Sequence, residues 1–256
     1  MDDQIITIYI FCHEWLQALD RREESQGRVT DAEIMTMALV SAGYFGGNFE
    51  TGRQVRQVGG YMPEILSRSR FNRRLHRLDR RRLQLQALLG QVWIQLQGAG
   101  AYVLDSFPLP ACDTIRMQRS RLYREKTYRG YCPSKRRYFH GLKLHLLVTG
   151  QGQPVEFFLS PGCTGDVQAL EWWTFDRPPG SIVYPHSAYT HYAIEDLLEE
   201  ALQITLQPAR KKNATRPVSP CCGLCPGAPP KADRAHRQWA GAALTPPHSC
   251  HHAAGL

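Results

Sequence analysis

The sequence predicts a mixed α+β (α/β) fold. It reads as a helical N-terminal region over residues 1–98, a mixed sheet with flanking helices over 99–216, and a disordered tail over 217–256. Three observations carry this reading. Apolar residues recur at helical spacing before residue 98, strand-like runs begin at Ala101, and after Pro217 neither period survives. Seven prolines fall in that last stretch, among Gly, Ala, Cys and His.

Ile5 to Leu19 carries apolar residues at helical spacing. Thr30-Asp31-Ala32-Glu33 has the capping-box form, a hydroxyl and a glutamate three residues apart, and opens the apolar run Ile34 to Val40. Gly43, Gly46 and Gly47 mark the following turn. Ser69 to Leu89 reads as one further helix, with Phe71, Leu75, Leu78, Leu83 and Leu85 or Leu88 on its apolar side. Arg70, Arg73, Arg74, Arg77, Arg80 and Arg81 occupy its other face. That face is either a solvated surface or a set of phosphate contacts, which position a protein on a duplex without reading its sequence.

Tyr102 to Leu104 is a short apolar strand. Arg137 to Thr149 alternates around Phe139, Leu142, Leu144, Leu146 and Val148, and turns at Gly150-Gln151-Gly152 into Pro154 to Leu159. The pair reads as a β-hairpin. Asp166 to Phe175 suits a short helix, Ser181 to Tyr184 a strand, Tyr192 to Leu202 an amphipathic helix and Ile204 to Gln207 a last strand. Strand, hairpin, helix, strand, helix, strand is an order that a mixed sheet with helices packed on it accommodates.

At 256 residues the chain has length for a substantial core. Its net charge of +8 and pI near 9.2 favour a polyanionic partner. No apolar run reaches the roughly 18 residues of a membrane helix. Met1-Asp2-Asp3 is acidic where a signal peptide is basic, so a cytoplasmic location is expected, with cysteines reduced. Cys12, Cys112, Cys132 and Cys163 read as core or loop residues. Cys221, Cys222, Cys225 and Cys250 lie among His236, His248, His251 and His252, a superficial likeness to a zinc site without finger spacing.

Asp105 follows three residues suited to a buried strand, where a carboxylate needs a partner or a metal. A turn aspartate capping a loop is the alternative. Between Arg116 and Arg137 stand nine Lys or Arg residues and one acid, Glu125. Arg124, Lys126, Arg129, Lys135, Arg136 and Arg137 form the densest part, interleaved with Tyr123, Tyr128, Tyr131 and Tyr138 in the manner of a single-strand or DNA-end contact surface.

Four local signatures, in order, resemble the DDE transposases of bacterial insertion sequences, whose catalytic core is ribonuclease-H-like. Leu104-Asp105-Ser106-Phe107-Pro108 looks like the family's first strand with its first catalytic aspartate. Tyr138-Phe139-His140-Gly141-Leu142-Lys143-Leu144-His145 looks like the second strand, where Lys-x-His is usual. Leu159-Ser160-Pro161-Gly162 with Asp166 resembles the turn after the hairpin. Ser69-Arg70-Phe71-Asn72-Arg73-Arg74-Leu75-His76 resembles the end of the preceding helical region. The resemblance implies DNA strand cleavage and strand transfer at terminal inverted repeats and target DNA. It also implies a homo-oligomer on DNA, a nucleoid-associated location and no membrane. Mg²⁺ or Mn²⁺ is the implied cofactor, held by three carboxylates of which Asp105 is one. Lys143 and His145 would contact phosphate near the site.

The chain departs from that pattern in two places. Tyr184-Pro185-His186-Ser187-Ala188-Tyr189 stands where a Gly-Asp-Lys-x-Tyr-like turn is expected, so His186 occupies the place of the second aspartate. Imidazole suits Zn²⁺ or Mn²⁺ better than Mg²⁺ and removes a negative charge. No glutamate follows Glu200, and the tail reads as out of frame, so a catalytically impaired copy is expected. The alternative is a DNA-binding remnant that recognises element ends without cutting.

Overall fold

The computed structural model describes residues 2–19, 29–52, 66–113, 123–133, 136–210 and 214–216. The cysteine–histidine tail, Lys135 and the stretch 114–122 therefore lie outside the described residues. The chain divides into two compact units, with the boundary between Leu85 and Gln86. No described helix is long and apolar enough to cross a membrane.

The first unit is helical. Helix α1 (Asp2–Ala18) buries Ile5, Cys12 and Leu16, spaced seven and four residues apart on one side. Helix α2 (Asp31–Tyr44) starts at the expected capping box. The Glu33 amide donates to Thr30 Oγ1 at 3.1 Å, and the Glu33 carboxylate takes the Thr30 amide in return. Gly46 and Gly47, at φ +56 and +81, carry the chain out of α2 through a left-handed turn.

The helix expected over Ser69–Leu89 is two helices. Helix α3 (Arg68–Arg77) stops at the fully buried Leu78, and α4 (Asp79–Gln97) begins with an acid in its first turn, the end that favours negative charge. The break resets the helical phase. Phe71, Leu75, Leu78 and Leu85 are buried as the spacing predicts, but Leu83 and Leu88 face outward, at 55% and 38% exposure.

The arginine face is also split. Arg70, Arg73 and Arg77 are exposed, whereas Arg74 turns inward. Its guanidinium pairs with the buried Asp31 and donates to the Val29 carbonyl, so the expectation that Arg74 contacts DNA is corrected. This pair ties α3 to the N-terminus of α2.

The second unit is built on six strands: β1 (Ala101–Asp113), β2 (Arg129–Cys132), β3 (Arg137–Thr149), β4 (Pro154–Pro161), β5 (Ile182–Pro185) and β6 (Thr205–Leu206). Strand β3 is central on one side, antiparallel to β1, to β4 and to the short β2. On the other side of β1, β5 and then β6 run parallel to it. The order β4-β3-β1-β5-β6, with three antiparallel strands and two parallel ones, is that of a ribonuclease-H-like sheet.

Helices α5 (Asp166–Leu170) and α6 (Tyr192–Leu202) belong to this unit. Leu170, Trp173, Phe175, Tyr189, Leu198 and Ile204 form one core with Tyr102, Leu104, Leu147 and Val183 of the sheet. Helix α5 ends earlier than expected, and Trp173 and Phe175 reach the core from an irregular stretch. Glu195 is buried and takes both arms of Arg210, while Arg216 pairs with Asp196. The segment after β6 is thereby held along α6.

Replacing Arg74 by Ala leaves the Asp31 carboxylate buried without its cation and is expected to lower stability by about 1–3 kcal/mol. Arg73→Ala, on the exposed side, is expected to change it by less than about 0.5 kcal/mol. Urea unfolding of the full chain, followed by circular dichroism, compares the two.

Candidate active site

Tyr102 and Leu104 are fully buried, Val103 is 9% exposed and Asp105 is half-buried. Asp105 is not at a strand end, as the short apolar run suggested, but midway along β1. Its surroundings nevertheless change there. Strand β5 pairs with β1 only from Ala101↔Ile182 to Leu104↔Pro185 and then leaves the sheet. Asp105 is the first residue of β1 beyond that parallel partner. The carboxyl ends of parallel strands are where open sheets commonly present functional groups.

His186 is the next residue on the other strand. Its backbone N–H donates to the Leu104 carbonyl at 3.2 Å, which continues the ladder by one step and sets position 186 beside position 105. The His186 side chain is exposed, and its Nδ1 accepts from the Ala188 amide at 3.4 Å, capping the single 3₁₀ turn Ser187–Tyr189. One Asp105 oxygen accepts from the Ser106 amide at 2.7 Å. The structure thus brings together the two residues singled out as the first and second members of the carboxylate set.

Register decides which residues share the Asp105 face. Asp105 lies opposite Leu146 of β3, and Phe107 opposite Leu144; all are half-buried. Ser106 lies opposite His145 and Pro108 opposite Lys143, so these belong to the other face, which is the core face. The expectation that Lys143 and His145 contact phosphate is corrected on this ground. His145 is fully buried, and Lys143 Nζ donates to the Thr164 carbonyl at 2.8 Å and to Asp166 Oδ1 at 3.2 Å. Asp166 takes up this lysine, while Gly165 is the N-cap of α5.

His145 is the centre of a buried polar chain. Its Nδ1 lies 2.7 Å from the Tyr189 hydroxyl and its Nε2 lies 2.9 Å from Ser160 Oγ, with the imidazole stacked on Phe158 at 4.7 Å between ring centres. Burial holds its pKa down to about 4, against the ordinary 6.5, so the ring is neutral and one nitrogen donates while the other accepts. A single consistent direction follows. Ser106 donates to Tyr189, whose hydroxyl donates to Nδ1. Nε2–H then donates to Ser160, and Ser160 to the Pro161 carbonyl. Burial also pushes the Tyr189 hydroxyl pKa well above its ordinary value.

Sequence reading singled out Tyr189 only as a remnant of the turn motif and quoted Ser106 and Ser160 only as neighbours. The signal for Ser106 was alternation, because it stands two residues past the buried Leu104. Arg124, Lys126, Arg129, Arg136 and Arg137 are exposed on or beside β2 and β3.

Among the described residues no group of three or more His, Cys, Asp or Glu side chains is gathered to hold a metal ion. Asp105 and His186 offer one carboxylate and one imidazole, which does not fit the oxygen-only donor set of a Mg²⁺ pair.

The site is thus a half-buried carboxylate beside the end of a parallel strand, on a ribonuclease-H-like sheet. Residues 95–220 match the family model described as Transposase DDE domain. Among solved structures the chain is similar to piggyBac transposase in a synaptic complex with hairpin DNA, at 16% identity and a TM-score of 0.39. The likeness covers 84% of this chain and 50% of that one, so this chain spans half the length of that transposase. None of the curated proteins compared matches the chain.

Because the folded imidazole titrates below the unfolded one, the unfolded chain binds the extra proton between about pH 6.5 and 4, and stability contributed by His145 is lost as pH falls through that window. His145→Gln is expected to flatten this part of the pH–stability curve, measured by urea unfolding between pH 4 and 7.

Proposed function

We propose that this protein is, by descent, the transposase of a bacterial insertion sequence. Its reaction is cleavage of DNA at the element's terminal inverted repeats and transfer of the freed 3′-hydroxyl to target DNA. The observation that carries this reading is the adjacency of positions 105 and 186 on neighbouring parallel strands of a transposase DDE domain. The lone aspartate and the histidine stand where that chemistry calls for two carboxylates. In this copy the substitution at 186 impairs catalysis. A neutral nitrogen lowers the negative charge on which two Mg²⁺ ions depend and replaces a preferred oxygen ligand.

The third carboxylate belongs on a helix beyond Arg216. We read residues 217–256 as an out-of-frame sequence that displaces it, on composition alone. The partners are DNA ends and a second copy of the chain assembled on DNA, in the bacterial nucleoid. The exposed Arg70, Arg73 and Arg77, with Arg124, Lys126, Arg129, Arg136 and Arg137, are the phosphate-contacting set. Lys135 joins them by its place in the sequence.

A second reading rests on the same cations. Positive charge exposed on both units suffices for DNA binding whatever stands at position 186, so the chain could occupy element ends without cutting them. DNA flanking the gene, incubated with the protein in Mg²⁺ or Mn²⁺, separates the readings. The native chain is expected to bind and leave the strands intact. His186→Asp, joined to a C-terminal region restored from an alternative frame, is expected to nick at the element boundary. If the repaired protein binds those ends and never cuts with either metal, the transposase reading fails and the binding remnant stands.

A further inference from the structure

We propose that the outer face of the β2–β3 hairpin is a stacking platform for an unpaired nucleotide at a DNA end. The proposal rests on the reading of this chain as a DNA-acting protein and adds the form of DNA that this surface takes.

Strand β2 alternates exposed and buried, so Arg129 and Tyr131 point out while Gly130 and Cys132 point in. Tyr131 lies directly across from Tyr138 of β3, and the two rings, 48% and 49% exposed, stand 5.0 Å apart and tilted by 53°. The Arg129 guanidinium sits 4.3 Å above the Tyr138 ring centre. A second pair, Tyr123 with Tyr128, lies 4.9 Å apart just before β2.

The base of this hairpin is packed backbone against backbone. A Cβ on Gly130 would come within 2.5 Å of the Gly162 carbonyl oxygen, and one on Gly162 within 2.6 Å of the Tyr128 carbonyl oxygen. The backbone that carries the platform is therefore packed against the turn after β4.

A cross-strand aromatic pair stabilises a hairpin, and that alone would account for two tyrosines. It does not account for their setting. Arg124, Lys126, Arg129, Arg136 and Arg137 are all exposed around them, and Glu125 is the one acid between residues 123 and 138. The cations complement phosphate, and the rings complement a base face. A duplex keeps its base faces stacked inside, so the combination fits a strand whose bases are unpaired.

The test compares a labelled blunt duplex with the same duplex carrying a short single-stranded overhang, by fluorescence anisotropy with the full chain. The native protein is expected to bind the overhang form roughly tenfold more tightly, the yield of about one stacked base. Y131L/Y138L keeps an apolar cross-strand pair without ring faces and should lose that preference, with blunt-end affinity unchanged. Y131F/Y138F keeps the faces and should retain it. Absence of a preference in the native chain overturns the proposal, as does a preference that survives in the leucine variant. A parallel loss of both affinities in the leucine variant also overturns it, because the tyrosines would then serve the fold. Failure to bind either DNA removes the DNA-acting reading itself, a result distinct from binding both equally.

Discussion

Both nitrogens of the buried, neutral His145 imidazole find partners, and this joins three parts of the sheet at one point. Tyr189 arrives from the turn after β5, Ser160 from the end of β4 and Ser106 from β1. The chain of hydrogen bonds runs under the core face, directly behind Asp105. Removing any member leaves a buried polar atom without its partner, at a penalty of about 1–3 kcal/mol. What the network holds in place is the turn that carries His186 beside β1, so geometry at positions 105 and 186 depends on residues that never reach the surface.

The formal charge of +8 does not say which cations face a ligand. Arg74, Arg210 and Lys143 are committed to Asp31, Glu195 and Asp166 inside the protein, and Arg216 to Asp196. The cations that remain exposed gather in two sets, on α3 and around β2. Side chains used to hold helices and turns together are thus separated from side chains open to a ligand.

Element order was legible because the β3–β4 hairpin alternates cleanly and because the capping box marks the start of α2. The length of β1 was not, since Pro108 and Pro110 read as breakers. Both stand where β5 has already left the sheet, on a side of β1 that calls for no backbone donor, and a register shift follows Pro110. Strand β2 was missed because four residues among dense positive charge show no period. The Lys143-x-His145 pattern was legible, but its face was not. Apolar residues line both faces of β3, so alternation alone could not say which face is the core. His186, singled out by motif, follows β5, and its side chain caps a 3₁₀ turn, a role no spacing announces.

The claim on which the account turns is that positions 105 and 186 form one ligand locus, weakened by the histidine at 186. Manganese titration followed by the electron paramagnetic resonance signal of the free ion measures this directly. The account expects His186→Asp to gain a saturable Mn²⁺ site that the native chain lacks, and expects Asp105→Asn in that background to abolish it. A gain that survives Asp105→Asn, or no gain at all, would contradict the placement of the two residues in one site.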